Sequence, residues 1–134
     1  MQRELSSPPI VRGYDEGGID LGERHLTRSF AVTCTGAVRD WSAPSFDALR
    51  AEDFSALFDL LTADEPPEAV LLGSGRRLRF VPAAWLRRFI DAGIGVETMD
   101  TVAACRTWNL LTAEGRRVAA AFLLETAAGV QNDR

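Results

Sequence analysis

The stretch Gly93–Gly115, GIGVETMDTVAACRTWNLLTAEG, decides how the rest of the chain is read. Ile94–Met99 has the character of a short strand. Asp100 stands where a helix N-cap belongs, because its carboxylate accepts a hydrogen bond from an N–H of the first turn. A helix running to about Leu111 follows, and Glu114–Gly115 turns the chain. Strand, capped turn and helix in close succession predict a βα unit, and the flanking segments extend it.

On the N-terminal side, Glu68–Gly73 (EAVLLG) is a continuous apolar run bounded by turn signals. Such a run is expected of a strand buried on both faces. Pro82 is suited to the first position of a helix, whose stripe would be Leu86, Phe89 and Ile90, with Arg87 and Arg88 turned away and Gly93 ending it. Further upstream, Phe54, Leu57, Phe58 and Leu61 sit at i, i+3, i+4 and i+7, one face of a helix that Pro66–Pro67 stops. On the C-terminal side, Val118–Leu124 (VAAAFLL) reads as a last buried strand. The latter two thirds therefore read α-β-α-β-α-β, an α/β layer with some parallel pairing. The first third, from Ile10 to Trp41, alternates short strands with glycine turns and reads as a β meander. Within it Leu26–Cys34 is one strand, with Phe30, Val32 and Cys34 on one face. A single α/β domain over residues 10–126 is expected, with flexible tails at 1–9 and 127–134.

The bulk numbers narrow the classes of function. At 134 residues the chain suits one domain with its own core. A net charge of −4 without a basic run makes nucleic acid a poor partner. All 15 basic residues are arginine, most of them read as solvated surface. Cys34 and Cys105 are far apart and form neither a disulfide framework nor a zinc site, and His25 is the only histidine. No cofactor and no metal site are expected. The N-terminus lacks a signal peptide's apolar core, and the longest apolar run is far below the ~20 residues of a membrane span. A soluble cytoplasmic protein without membrane insertion is expected.

Three segments, LLGSGRRLRFVP (71–82), GIGVETMDTVAACRTWN (93–109) and GRRVAAAFL (115–123), together resemble a small domain family of largely unknown function. Its eukaryotic members include the mitochondrial complex I assembly factor three and an adipogenesis-associated protein, and bacteria and archaea carry stand-alone versions. The likeness spans roughly Ile10 to Leu124. Trp108 stands where the family has a tyrosine before the asparagine. The resemblance implies a three-layer α/β fold with a mixed central sheet, helices packed on it and an N-terminal β-hairpin or meander extension. It attaches no firm enzymatic activity, and one relative has the character of a protein-binding assembly factor.

The residues that would carry chemistry each have two readings. Gly73-Ser74-Gly75 follows a buried strand, where loop amides would cradle a small anion; the other reading is a tight turn into Arg76. The dinucleotide fingerprint is incomplete, since Leu78 stands where its third glycine belongs, and no P-loop lysine exists. Asp100-Thr101 is a helix cap that would also face this crevice. Cys105 beside Arg106 invites a nucleophile reading. Adjacent helix residues point about 100° apart, however, which assigns Cys105 to the core. Arg106 and Asn109, three apart on one face, would hold an anionic group, or Arg106 would bond loop carbonyls or Glu97. His25 reads as surface rather than a general base. Trp41 and Trp85 read as core or as partner surface, the latter with Arg88.

No catalytic residue is assigned, and the balance leans against an enzyme. The leading expectation is a non-enzymatic protein-binding or assembly-factor-like module with a protein partner. The alternative is a small anionic-ligand binder or enzyme using the crevice between the Gly73–Gly75 loop and the Asp100 helix.

Overall fold

Every residue of the strand Val118–Phe122 is buried, because both faces of the sheet around it are covered. A computed structural model describes residues 8–15 and 17–125. Its strands are β1 (Gly13–Asp15), β2 (Gly18–Asp20), β3 (His25–Leu26), β4 (Phe30–Val32), β5 (Val38–Asp40), β6 (Ala69–Gly73), β7 (Gly95–Met99) and β8 (Val118–Phe122). Its helices are α1 (Ala51–Thr62), α2 (Arg87–Asp91) and α3 (Thr101–Ala113). Strands β1-β2-β3 form a small antiparallel sheet, and a five-stranded mixed sheet runs β5-β4-β8-β6-β7. In it β8 is antiparallel to β4 and parallel to β6, and β6 is parallel to β7.

Side-chain alternation along the central strands feeds two cores. Val70, Leu72, Ala119, Ala121 and Leu123 face Phe54, Leu57, Leu61 and Phe89 of α1 and α2. Leu71, Val118, Ala120 and Phe122 face Ala104, Cys105 and Trp108 of α3, together with Ile19 and Leu26 of the small sheet. Three consecutive alanines in β8 keep its centre thin, so helical layers close in from both sides. Phe30 and Phe122 are register partners, with ring centroids 5.1 Å apart. Each such buried apolar side chain contributes about 1.5–3 kcal/mol.

The connections explain where a site would lie. From β6 the chain passes through α2 to β7 on one side, then returns through α3 to β8 on the other side. Crossovers of one hand that reverse direction must use opposite faces. The carboxyl ends of β6 and β7 therefore diverge, which is where open α/β sheets form a crevice.

Helix ends follow local chemistry. Asp53 accepts from Arg50 N at 2.8 Å at the start of α1. Gly93 and Gly115, both at φ +77°, end α2 and α3. Ile94 N donates to Phe89 O, and Arg116 N to Leu111 O, the six-to-one bond of a left-handed C-terminal cap.

Three expectations are corrected. Leu26–Cys34 is not one strand. β3 ends at Leu26 and β4 begins at Phe30, and the two belong to different sheets, because the chain must cross from the small sheet to the main one. The helix expected from Pro82 is a 3₁₀ turn, Ala83–Leu86, followed by the short α2. With three residues per turn that start aligns Leu86 with Phe89, and Ile90 is left 55% exposed. The first strand begins at Gly13, not Ile10. Most of the two expected tails lies outside the described residues.

Candidate functional site

The Gly73–Gly75 loop and the start of α3 meet as expected of the crevice, and their polar groups bind each other. Ser74 N donates to Met99 O at 2.8 Å. Thr101 N donates to Gly75 O, and Gly75 N donates to Thr101 Oγ1, both at 2.9 Å. Thr101 Oγ1 in turn donates to Leu123 O at 2.8 Å. Ser74 Oγ donates to Arg77 O and accepts from Arg79 N. Asp100 caps α3 by accepting from Ala103 N at 2.8 Å. Gly73 permits this closeness: a Cβ there would lie 2.9 Å from Thr101 Oγ1 and 3.0 Å from Thr101 Cα, a separation at which something would have to shift.

An anion seat does exist beside the loop, and the chain fills it itself. The Glu125 carboxylate accepts from Phe46 N at 2.9 Å, Arg76 N at 3.2 Å and Arg79 Nη2 at 2.9 Å. Arg79 also lies over the Phe46 ring at 4.4 Å and 3.5 Å from Asp47. Phe46, the Arg76–Arg79 segment and Glu125 are too distant in sequence for spacing to join them, and no sequence signal marked Glu125 or Arg79.

Arg106 and Asn109 both turn to the N-terminal segment. Asn109 Oδ1 accepts from Val11 N and its Nδ2 donates to Val11 O, each at 2.9 Å. Arg106 Nη1 donates to Tyr14 Oη at 3.3 Å. Trp85 is half-buried, its ring 5.9 Å from that of Phe54. Arg88 lies 4.3 Å over the Phe58 ring and pairs with Asp59 at 3.2 Å. Trp41 is buried, edge-on to Phe54. His25 is exposed. Among the described residues no group of three or more His, Cys, Asp or Glu is placed to hold a metal ion. No described helix is long and apolar enough to cross a membrane.

Cys105 is 1% exposed. Burial pushes its thiol up to about 12, against the opposing influence of the Arg106 charge. A thiolate is therefore scarce at neutral pH, and a nucleophilic role has no support. The sign of the linkage follows. Below pH 9.0, the ordinary thiol value, both folded and unfolded chains keep the proton. Above it the unfolded chain ionises first, so stability falls as pH rises from about 9 to about 12. Denaturation across that range should show a smaller loss in Cys105→Ala. In a Cys34→Ser background, Ellman's reagent at pH 8 should find no reactive thiol until denaturant is added.

Against the outer side of this closed crevice, and sharing Gly75, Arg76, Thr101 and Glu125 with it, an open cavity of about 350 Å³ lies between the start of α3, strands β1 and β2, and the segment after β8.

Comparison with known proteins agrees with this architecture. A family model described as protein of unknown function (DUF498/DUF598) matches residues 11–123. NADH dehydrogenase (ubiquinone) 1 alpha subcomplex assembly factor 3 of Danio rerio is 35% identical over 130 residues, which is 96% of this chain and 71% of that protein. The Homo sapiens protein of the same name is 32% identical over 124 residues, 92% of this chain and 65% of its own length. The crystal structure of a Bordetella parapertussis protein superposes with a TM-score of 0.77 at 33% identity, covering 88% of this chain and 97% of that one.

Proposed function

The chain belongs to the DUF498/DUF598 family of proteins of unknown function, and on that premise we propose that it is a protein-binding, assembly-factor-like module acting through the outer face of α3. The observation that carries this reading is the likeness to an assembly factor over 96% of the chain, joined to one surface. Val102, Arg106 and Leu110 follow one another at i, i+4 and i+8 on α3. Val102 is 37% and Leu110 59% exposed. Tyr14, which bonds Arg106, and Ile10, which precedes the Val11 held by Asn109, extend the patch with exposures of 42% and 53%. Apolar side chains around arginine and tyrosine are the composition of protein interfaces. Trp85 and Arg88 are engaged within the chain, and this face takes their place.

A small anion on the donors of Phe46 N, Arg76 N and Arg79, or an enzyme acting on one there, has less support, since Glu125 already satisfies that seat. The net charge of −4 also argues against nucleic acid. The protein-contact reading goes with cytoplasmic residence, which fractionation of the native host tests.

The direct experiment places a photo-crosslinking residue at position 110 in the native host. Adducts are expected with subunits of a multisubunit complex, those of NADH dehydrogenase first. Leu110 is exposed, so Leu110→Asp should abolish association while leaving the fold intact. Crosslinks to solvent or to abundant bystanders alone would overturn the proposal.

A further inference from the structure

The cavity beside α3 shares Tyr14 and Val102 with the proposed contact face, and the rest of its lining is not used by the protein-contact reading. Ile19, Val102, Cys105, Leu123 and Leu124 supply apolar wall, and most of its exposed lining is apolar. Its volume of about 350 Å³ falls at the lower end of the roughly 300–1,000 Å³ typical of small-molecule sites. Among the described residues two carboxylates line the cavity, and both are turned onto the chain's own donors. Asp15 Oδ1 accepts from Gly17 N at 2.7 Å and Gly18 N at 3.1 Å. Glu125 accepts from Phe46 N, Arg76 N and the Arg79 guanidinium. Two cations remain. Arg76, an exposed residue, lines the cavity, and its side chain makes no ion pair among the described residues. Arg106, one turn on along α3 and outside the lining, donates to the hydroxyl of Tyr14, which does line the cavity.

An apolar interior with an exposed arginine in its lining, unpaired among the described residues, selects an amphipathic anion over a compact, fully hydrated one. Small hydrophilic anions would gain nothing from the walls, and a neutral hydrocarbon would leave the guanidinium unused. We propose that this cavity binds a short aliphatic carboxylate, with its chain against Ile19, Val102, Cys105 and Leu124 and its head group on Arg76. Cys105 serves there as a protonated, apolar wall. This inference does not depend on the assembly reading, and the crosslink at position 110 can fail without affecting it.

The test is an NMR titration of the whole chain with sodium octanoate, n-octanol and sodium acetate. Octanoate should saturate, with amide shifts clustered at Ile19, Val102, Cys105 and Leu124, and acetate should produce no saturable shift there. Arg76→Gln should weaken octanoate about tenfold and leave octanol unchanged. Val102→Trp, at an exposed first-turn position, should block both ligands. Both substitutions are at exposed sites, so a folded variant is expected in each case. Absence of saturation, shifts centred elsewhere, or undiminished binding by Val102→Trp would overturn the proposal. Equal weakening of octanoate and octanol by Arg76→Gln would overturn the head-group assignment. Co-sedimentation with phosphatidylglycerol vesicles, without binding of free octanoate, would identify a membrane surface instead and also overturn it.

Discussion

Trp108→Ala is expected to destabilise the protein by about 3–5 kcal/mol, the range for deleting a large aromatic from a core. The side chain is fully buried between α3 and the sheet. Its ring meets Phe122 edge-on, with centroids 6.4 Å apart at 83°. Its Nε1 donates to Pro9 O at 2.8 Å, so the substitution leaves a cavity and also removes one of the bonds on the N-terminal segment, which Asn109 still holds at Val11. Against a total stability of about 5–15 kcal/mol for a domain, that is a large share. Urea unfolding followed by circular dichroism measures it. Trp108→Phe keeps most of the ring and deletes the hydrogen bond, and should cost about 1 kcal/mol for the bond plus a smaller cavity term. A loss below 1 kcal/mol in Trp108→Ala would mean that α3 does not close on the sheet as described.

Thr101→Val is expected to cost roughly 2–4 kcal/mol although it is isosteric. The Thr101 hydroxyl accepts from Gly75 N and donates to Leu123 O, tying the ends of β6 and β8 to the start of α3. Valine fills the space and strands both backbone groups, and each unsatisfied buried group costs about 1–3 kcal/mol. Thr101→Ser keeps the hydroxyl and should lose only the methyl group, within about 1 kcal/mol. Native-state hydrogen exchange separates the local from the global effect: the Gly75 amide should lose protection in Thr101→Val and retain it in Thr101→Ser. Equal protection in the two variants would show that the hydroxyl is not the acceptor.

Both residues lie in Gly93–Gly115, and their prominence in the sequence had different causes. Asp100 declared itself as a cap because capping is a short-range interaction between a side chain and an amide three residues on. The buried strands β6 and β8 declared themselves because a strand covered on both faces must be apolar throughout. α1 did so through its 3.6-residue stripe. Apolar spacing places Ile90 on the buried stripe of α2 and the structure exposes it, because the 3₁₀ turn before α2 packs against α1 and shifts the stripe. Period-two alternation runs through Leu26–Cys34 without a break although β3 and β4 belong to different sheets, because alternation does not record which sheet a strand joins.

The candidate site was legible as a place and not as a constellation. The glycine loop and the α3 start do meet, since consecutive βα units bring strand ends together. Glu125 in the anion seat, Arg79 over Phe46 and Tyr14 beside Arg106 are invisible in spacing. Each joins residues tens of positions apart, where contact depends on the path of the whole chain.

The sequence by itself determined the fold class, the order of the main strands and helices, the α3 cap and the inward assignment of Cys105. These follow from hydrogen bonds within a few residues and from burial, which periodicity records. The tertiary structure alone decided that the crevice is closed by Thr101 and filled by Glu125, that Asn109 holds the N-terminal segment, and that the open cavity lies beside α3. Those outcomes depend on long-range register between elements, and no local propensity encodes it.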